Sequence, residues 1–368
     1  MRPAFSSTTQ AAAFALLLLV ILLSPVWAGK RLLPSREQSY ESQGWGSGPY
    51  PWICHEVFEE TNDIDIAFMG SSHMFNDINT PYVQEQLSRR LGRPAVVRTI
   101  AWGGAGYDAL YLIARDLLAH RRVRMLVIYD EDAGRRNAQI PMLFRWGDDA
   151  GQLSGLAMRE QSLFYFAAII GLPRNLLSDF IPNLPAPLIT GQKNYWETVA
   201  DAPNPVTRLG SLSFGKGFAP NPMAQAAPFV AFQPATAARA RDVVVYAPST
   251  AANFEFSTNL IPDWQEVFAR KLGELFRAQK VQPVMLHLPV LAEARAPVLR
   301  ERADWSAIFG GDFKLMGIRP VILFGGVSDS DLLKLYGDPV HFSRNGQEYF
   351  TPLITPSLLE LYEESSNH

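Results

Sequence analysis

The sequence predicts an α/β domain built on a parallel sheet. Three observations carry that reading. Short apolar runs at 64–69, 95–100 and 123–129 alternate with segments of helical period. The connections between them are tight and rich in glycine. Hydrophobic residues make up 48% of 368 residues and charged residues 19%, enough apolar material for a large core and too few charges for a disordered chain.

Ile64–Met69 (Ile-Asp-Ile-Ala-Phe-Met) reads as the first strand, ending at Gly70. Thr80-Pro81 looks like an N-cap followed by proline at the first helical position, so a helix is expected from Tyr82 to about Leu91, closed by Gly92. Ala95–Ile100 is β-rich and reads as the second strand. The turn Gly103-Gly104-Ala105-Gly106 leads into a helix from Tyr107 to about His120, with Leu110, Ile113, Leu117 and Leu118 at helical spacing. Val123–Tyr129 is nearly all apolar, as in a strand buried on both faces. The alternation then breaks. From Gly134 to about Asn253 there is one expected helix (Ser162–Ile170) and a Pro-rich stretch, with nine prolines between Ile181 and Thr236. A long irregular insert of this kind is usually functional or mobile. Its aromatics, Tyr195 and Trp196 among them, read as its own small core or as a surface that stacks on sugar rings. The pattern resumes with a helix at Pro262–Gln279 and strands at Pro283–Leu288 and Pro320–Phe324. A short helix at Asp329–Tyr336 and a final one from near Asn345 complete the domain.

The ends of the chain have a different character. Arg2 precedes thirteen apolar residues, Ala11–Leu23, after which Pro25 is expected to break the helix. Val26-Trp27-Ala28 offers a cleavage site, and a run this short falls below the ~20 residues a bilayer span needs. Residues 1–28 therefore read as a secretory signal peptide, with an uncleaved anchor reaching Trp27 as the alternative. Residues 29–62 read as a polar linker and 63–368 as the main domain. The balance of 33 basic and 36 acidic residues argues against a nucleic-acid partner. Cys54 is the only cysteine, so neither an internal disulfide nor a Cys-rich metal site can form. No two of the six histidines fall at the spacing of a helical zinc site, and neither a metal nor a cofactor is expected. Asp130, Glu131 and Asp132 read as a solvated loop rather than a cation site. His287, within an apolar strand, reads as a buried, hydrogen-bonded side chain.

Three motifs stand where an open α/β sheet gathers its loops, beyond the carboxyl ends of the strands. They are Gly70-Ser71-Ser72-His73, the turn Gly103–Gly106, and Asp338-Pro339-Val340-His341. A serine hydroxyl becomes a nucleophile when a histidine takes its proton, and that histidine needs an acid to hold its tautomer. An aspartate three residues before a histidine reaches Nδ1 within one local turn. A glycine turn exposes backbone N–H groups to a developing oxyanion. His73, beside the serine, reads as a pocket-lining neighbour rather than a base.

These motifs resemble the SGNH (GDSL-type) hydrolase superfamily, on Phe68-Met69-Gly70-Ser71-Ser72, the glycine turn and Asp338-x-x-His341-Phe-x-x-x-Gly346. The matching segments run over roughly 64–135 and 262–350. The resemblance implies a flavodoxin-like three-layer sandwich with strand order 2-1-3-4-5. It implies a triad of Ser72, His341 and Asp338, and an oxyanion hole from the N–H groups of Ser72 and Gly106, with Gly103 as the alternative. The family's third block is Gly-x-Asn-Asp, whereas this chain has Tyr129-Asp130-Glu131-Asp132. Asp132 stands at the asparagine position, where a carboxylate would repel an oxyanion, and Asn137 is a possible substitute. The Gly-Ser-Ser-His block also looks like the branch that modifies cell-surface polymers, including alginate O-acetylation and teichoic acid D-alanylation proteins. That implies ester hydrolysis or O-acyl transfer on an acylated carbohydrate or cell-envelope polymer. It also implies a periplasmic or secreted location, or attachment to the inner membrane through the N-terminal segment. Two alternatives stand beside it: a non-catalytic binding or scaffold protein that keeps the fold, and a lipase-like enzyme for free lipids.

Overall fold

The structure is a computed structural model and describes residues 5–28, 35–41, 50–102, 106–129, 149–165, 238–246, 263–294, 309 and 313–365. The chain divides into two compact units, residues 1–44 with 138–191, and residues 45–137 with 192–368.

In the first unit α1 spans Thr8–Ala28, running through Pro25 rather than stopping there. Proline removes one backbone donor, and the apolar turns before it propagate the helix past that single loss. Among the residues whose side chains are described, no helix is long and apolar enough to cross a membrane. The short helix α2 (Arg36–Glu41) follows, and Arg36 pairs with Asp149 at 2.7 Å. Residues 158–165 are helical, which overlaps the helix expected from Ser162; residues 166–170 lie outside the described residues, as does most of the Pro-rich insert.

The second unit holds the sheet. Its strands are β1 (Ile64–Gly70), β2 (Val97–Ala101), β3 (Val123–Tyr129), β4 (Val243–Tyr246), β5 (Gln282–Leu286) and β6 (Lys314–Ile318). Their order is β2-β1-β3-β5-β6-β4. All neighbours pair in parallel except β4, which lies antiparallel on β6 at the edge, Val243 opposite Ile318. With β4 set aside, the five parallel strands keep the expected 2-1-3-4-5 order. The chain moves outward one way from β1 to β2 and the other way from β3 to β5. The crevice at such a reversal lies at the carboxyl ends of β1 and β3.

The residues of β1 and β2 are all buried, which suits strands covered on both faces. Helix α5 (Thr80–Leu91) starts two residues earlier than expected. Its N-cap is Asn79, whose side chain accepts from the N–H of Tyr82 at 3.0 Å, and it ends at Gly92 with φ 64°. Helix α6 (Tyr107–His120) matches its expected range. A long amphipathic helix, Asp263–Gln279, packs against it. The segment expected as a polar linker is helical and buried near its end. Residues Tyr50–Cys54 form α3, a π-turn follows over His55–Glu59, and Trp52, Ile53, Cys54 and Val57 are buried. Glu56 is buried there against two arginines, Arg98 at 3.2 Å and Arg121 at 2.6 Å.

The expected strand at Pro320–Phe324 is instead a short helix, Pro320–Leu323, and the strand lies just upstream as β6. The fixed φ of proline is pre-organised for the first helical turn, where Pro320 stands. β6 reads Lys-Leu-Met-Gly-Ile, a weak strand pattern whose place is secured by β5 and β4 pairing on its two sides. The C-terminal helix, Arg344–Glu364, passes through Pro352 and Pro356 and contributes Phe350, Ile354, Leu358 and Tyr362 to the core.

Near the amino end of β1, Asp65 ties three elements together. It accepts hydrogen bonds from Arg93 at 2.6 and 3.1 Å, from the N–H of Val96 at 2.8 Å and from the Tyr362 hydroxyl at 2.5 Å. Burial alone would raise its carboxyl pKa. The bonds from Arg93, Tyr362 and Val96 outweigh burial, and the pKa is lowered. A carboxyl group with a lowered folded-state pKa contributes stability above its unfolded value of about 3.9, and loses it as pH falls through the folded value. Asp65→Asn is expected to cost about 2 kcal/mol at pH 7, at the modest end because Arg93 is half exposed. The difference from wild type should shrink below about pH 4, as read by urea denaturation across pH.

Candidate functional site

Ser71 and Ser72 follow β1 directly. Ser71 is the extended N-cap, and Ser72 opens the one-and-a-half-turn helix α4, Ser72–Asp77. The motif was expected in a loop after β1; the structure places Ser72 and His73 in the first turn of a helix. The first N–H groups of a helix have no intrahelical acceptor, so the Ser72 N–H belongs to that unsatisfied set.

The partner arrives from the far end of the chain. Ser72 Oγ lies 2.7 Å from His341 Nε2, across 269 residues of sequence. His341 Nδ1 lies 2.7 Å from Asp338 Oδ2. The other carboxylate oxygen of Asp338 accepts the N–H groups of Val340 at 2.8 Å and His341 at 2.9 Å. Burial works to raise the Asp338 carboxyl pKa, but the His341 ring and the two backbone donors prevail and hold it below the ordinary carboxylate value. Asp338 is therefore ionised at neutral pH and fixes the His341 tautomer, which leaves Nε2 facing the serine.

The loop that carries this pair is braced. Tyr336 and Phe342 form an antiparallel bridge, and the N–H of Gly337 donates to the His341 carbonyl at 2.9 Å. The Tyr336 hydroxyl donates to the Pro289 carbonyl at 2.8 Å. Burial, with Asp77 and Glu293 nearby, pushes that phenol far up, so it stays protonated. Ser343 caps the C-terminal helix, and Gly346 leaves room beneath it: a Cβ there would stand 2.1 Å from the Leu335 carbonyl oxygen.

A second set of contacts joins the serine helix to the histidine loop. His73 Nδ1 lies 2.9 Å from Asp77 Oδ2, and Asp77 Oδ1 accepts the N–H of Phe342 at 2.7 Å. The Gln347 side chain donates to the Asn76 carbonyl at 2.8 Å, and Thr351 Oγ1 accepts the N–H of Asn79 at 3.0 Å. Ser71 Oγ lies 2.8 Å from the hydroxyl of Tyr129, the last residue of β3. The His73 ring stands 5.0 Å from the Tyr129 ring and 4.7 Å from the His341 ring, centre to centre.

Ser72, His341 and Asp338 thus come together as the motifs predict, with His73 alongside. Asp77 and Tyr129 were missed by the sequence reading. Asp77 stood four residues after His73, the spacing at which helical side chains meet, but no helix was expected there. Tyr129 was read only as the end of the third strand and the start of the block Tyr129–Asp132. Gly106 is the N-cap of α6 with φ 141°. Gly103, Asp130, Glu131, Asp132 and Asn137 lie outside the described residues. His287 is buried as expected, with Nε2 3.3 Å from Glu293. Among the described residues, no three or more His, Cys, Asp or Glu side chains gather into a metal-binding group.

Compared with known proteins, the chain matches no family model and no curated sequence. The site therefore has to be read from its own geometry. A concavity of about 920 Å³ does exist elsewhere, lined by Asp65, Arg93, Arg121, Arg124 and Lys280 among others. It sits at the amino ends of β1 and β3, the opposite edge of the sheet from Ser72. Arg93 and Arg121 are there already paired with Asp65 and Glu56.

Gly106 supplies a direct test of how tightly the turn before α6 is built. A Cβ at this position would stand 2.3 Å from Asp108 Oδ1 and 2.9 Å from Gln265 Nε2, and φ 141° disfavours any L side chain. Asp108 and Gln265 are fully buried and bonded to each other at 3.1 Å, so neither can withdraw cheaply. Gly106→Ala is expected to cost about 2 to 3 kcal/mol, measured as a lower urea midpoint.

Proposed function

We propose that the chain is a serine esterase or O-acyltransferase of the SGNH type, acting on an acylated carbohydrate or cell-envelope polymer. The observation that carries the reading is the unbroken line Ser72 Oγ to His341 Nε2 to Asp338, each link 2.7 Å. A serine, a histidine and an aspartate in this relation make the serine a usable nucleophile at neutral pH.

Ser72 Oγ attacks the acyl carbonyl carbon as its proton passes to His341 Nε2. The carbonyl π electrons move to oxygen, and the N–H groups of Ser72 and Gly106 are the proposed donors to that oxyanion. Collapse restores the carbonyl and breaks the bond to the alcohol oxygen, which leaves with the proton from His341. Water or a sugar hydroxyl then attacks the acyl-serine and gives its proton to His341. The same proton returns to Ser72 Oγ as the acyl group departs. Asp338 stays ionised throughout and stabilises the imidazolium. No cofactor enters any step. The apolar N-terminal helix would take the chain into the cell envelope, where such polymers lie.

Hydrolysis of p-nitrophenyl acetate by the purified full chain tests the reading. Ser72→Ala should lose at least about 10³-fold in kcat, and Asp338→Asn about 10²- to 10⁴-fold with the fold retained. Equal rates for wild type and Ser72→Ala would overturn the reading and leave a binding or scaffold role for the domain.

A further inference from the structure

A second imidazole with its own carboxylate stands beside the triad. His73 repeats the relation of His341 to Asp338: its Nδ1 edge is held by a carboxylate, Asp77, at 2.9 Å. Asp77 is almost fully buried, with a side chain 1% exposed, while the His73 side chain keeps 14%. The Nδ1 edge faces the buried carboxylate, which leaves Nε2 as the ring nitrogen open to a substrate. The triad mechanism makes no use of that nitrogen.

Its location says which part of a substrate it meets. His341 Nε2 must hand its proton to the leaving alcohol, so the alcohol half of the ester lies against His341. The His73 ring is 4.7 Å from the His341 ring, centre to centre, and therefore flanks the alcohol half rather than the acyl half. Two rings this close can each reach an oxygen of the same alcohol half, and the nearest such pair of oxygens sits on neighbouring carbons. A hydroxyl both donates and accepts, so it satisfies an imidazole nitrogen in either protonation state.

We propose that His73, oriented by Asp77, binds a second hydroxyl on the alcohol half, so that the preferred substrates are monoesters of vicinal diols, the arrangement found in sugars and glycerol. This inference rests on the ester chemistry proposed above and narrows it to the alcohol that site accepts. His73 is a specificity residue in this scheme, and Asp77 is its positioning residue.

The test compares ethylene glycol monoacetate with propyl acetate, which differ by a hydroxyl in place of a methyl group. Wild type should favour the glycol ester by about tenfold in kcat/KM, the worth of one hydrogen bond in such a site. His73→Asn keeps an amide where Nδ1 meets Asp77 and has no atom at the Nε2 position. Its preference should fall to about one, with the loss expressed in KM for the glycol ester. His73→Gln, which places an amide near the Nε2 position, should recover part of the preference. A preference that is absent in wild type, or that survives in His73→Asn, overturns the inference. A fluorophosphonate that forms a covalent adduct on Ser72, read by intact mass, separates the two levels. With the adduct present and the preference insensitive to His73, only the inference fails. With no adduct on the wild-type chain, the ester chemistry fails and the inference falls with it.

Discussion

A buried carboxylate must find donors for its oxygens, and Asp77 finds them on two pieces of chain that are far apart in sequence. One oxygen meets His73 on the helix that begins with Ser72, and the other takes the N–H of Phe342, next to His341. Without the second partner one oxygen of Asp77 would lie in the core without a donor, an expensive arrangement. Docking of the histidine loop against the serine helix is therefore coupled to the satisfaction of Asp77. The 2.7 Å approach of Ser72 to His341 is a consequence of that coupling as much as of the sheet beneath it.

The sheet brings the two pieces within range. β1 and β3 are adjacent and parallel, so the loops after them leave from the same edge. Ser71 and Tyr129 bond across that edge at 2.8 Å. The C-terminal helix then reaches back through Gln347 and Thr351 to grip the segment 76–79. At the opposite edge, the same helix anchors Tyr362 to Asp65. One helix thus bonds to the amino end of β1 and to the segment that follows the serine helix. The two histidines lie side by side with separate carboxylates, one exposed at the loop tip and one buried beneath it.

Much of this was legible in the chain itself. Continuous apolar runs at 64–69 and 123–129, and the helical spacing of Leu110, Ile113 and Leu117, are local patterns set by burial on one or both faces. They required no knowledge of neighbours, and α6 and β3 fall where they were read. The Gly-Ser-Ser-His and Asp-x-x-His motifs were legible for the same reason, since a triad needs those residue types whatever surrounds them. The Asp338–His341 contact is itself local and could be derived from three residues of spacing.

The rest depended on partners distant in sequence. β6 has a weak strand pattern, and its place was decided by ladders with β5 and β4; the stronger apolar run at Pro320–Leu323 became a short helix, with Pro320 at its first turn. β4 lies in a stretch read as an irregular insert, and pairing with β6 makes it a strand. Glu56 looked like part of a polar linker until Arg98 and Arg121 closed around it. Asp77 and Tyr129 carried no motif, and only the approach of His73, Phe342 and Ser71 gave them a role. The amino-acid order thus determined the alternation of elements and the motifs that form the site, because burial and local hydrogen bonding act over a few residues. The tertiary structure alone decided that Asp77 joins the serine helix to the histidine loop and which apolar run enters the sheet, because those outcomes depend on donors and strand edges supplied from far along the chain.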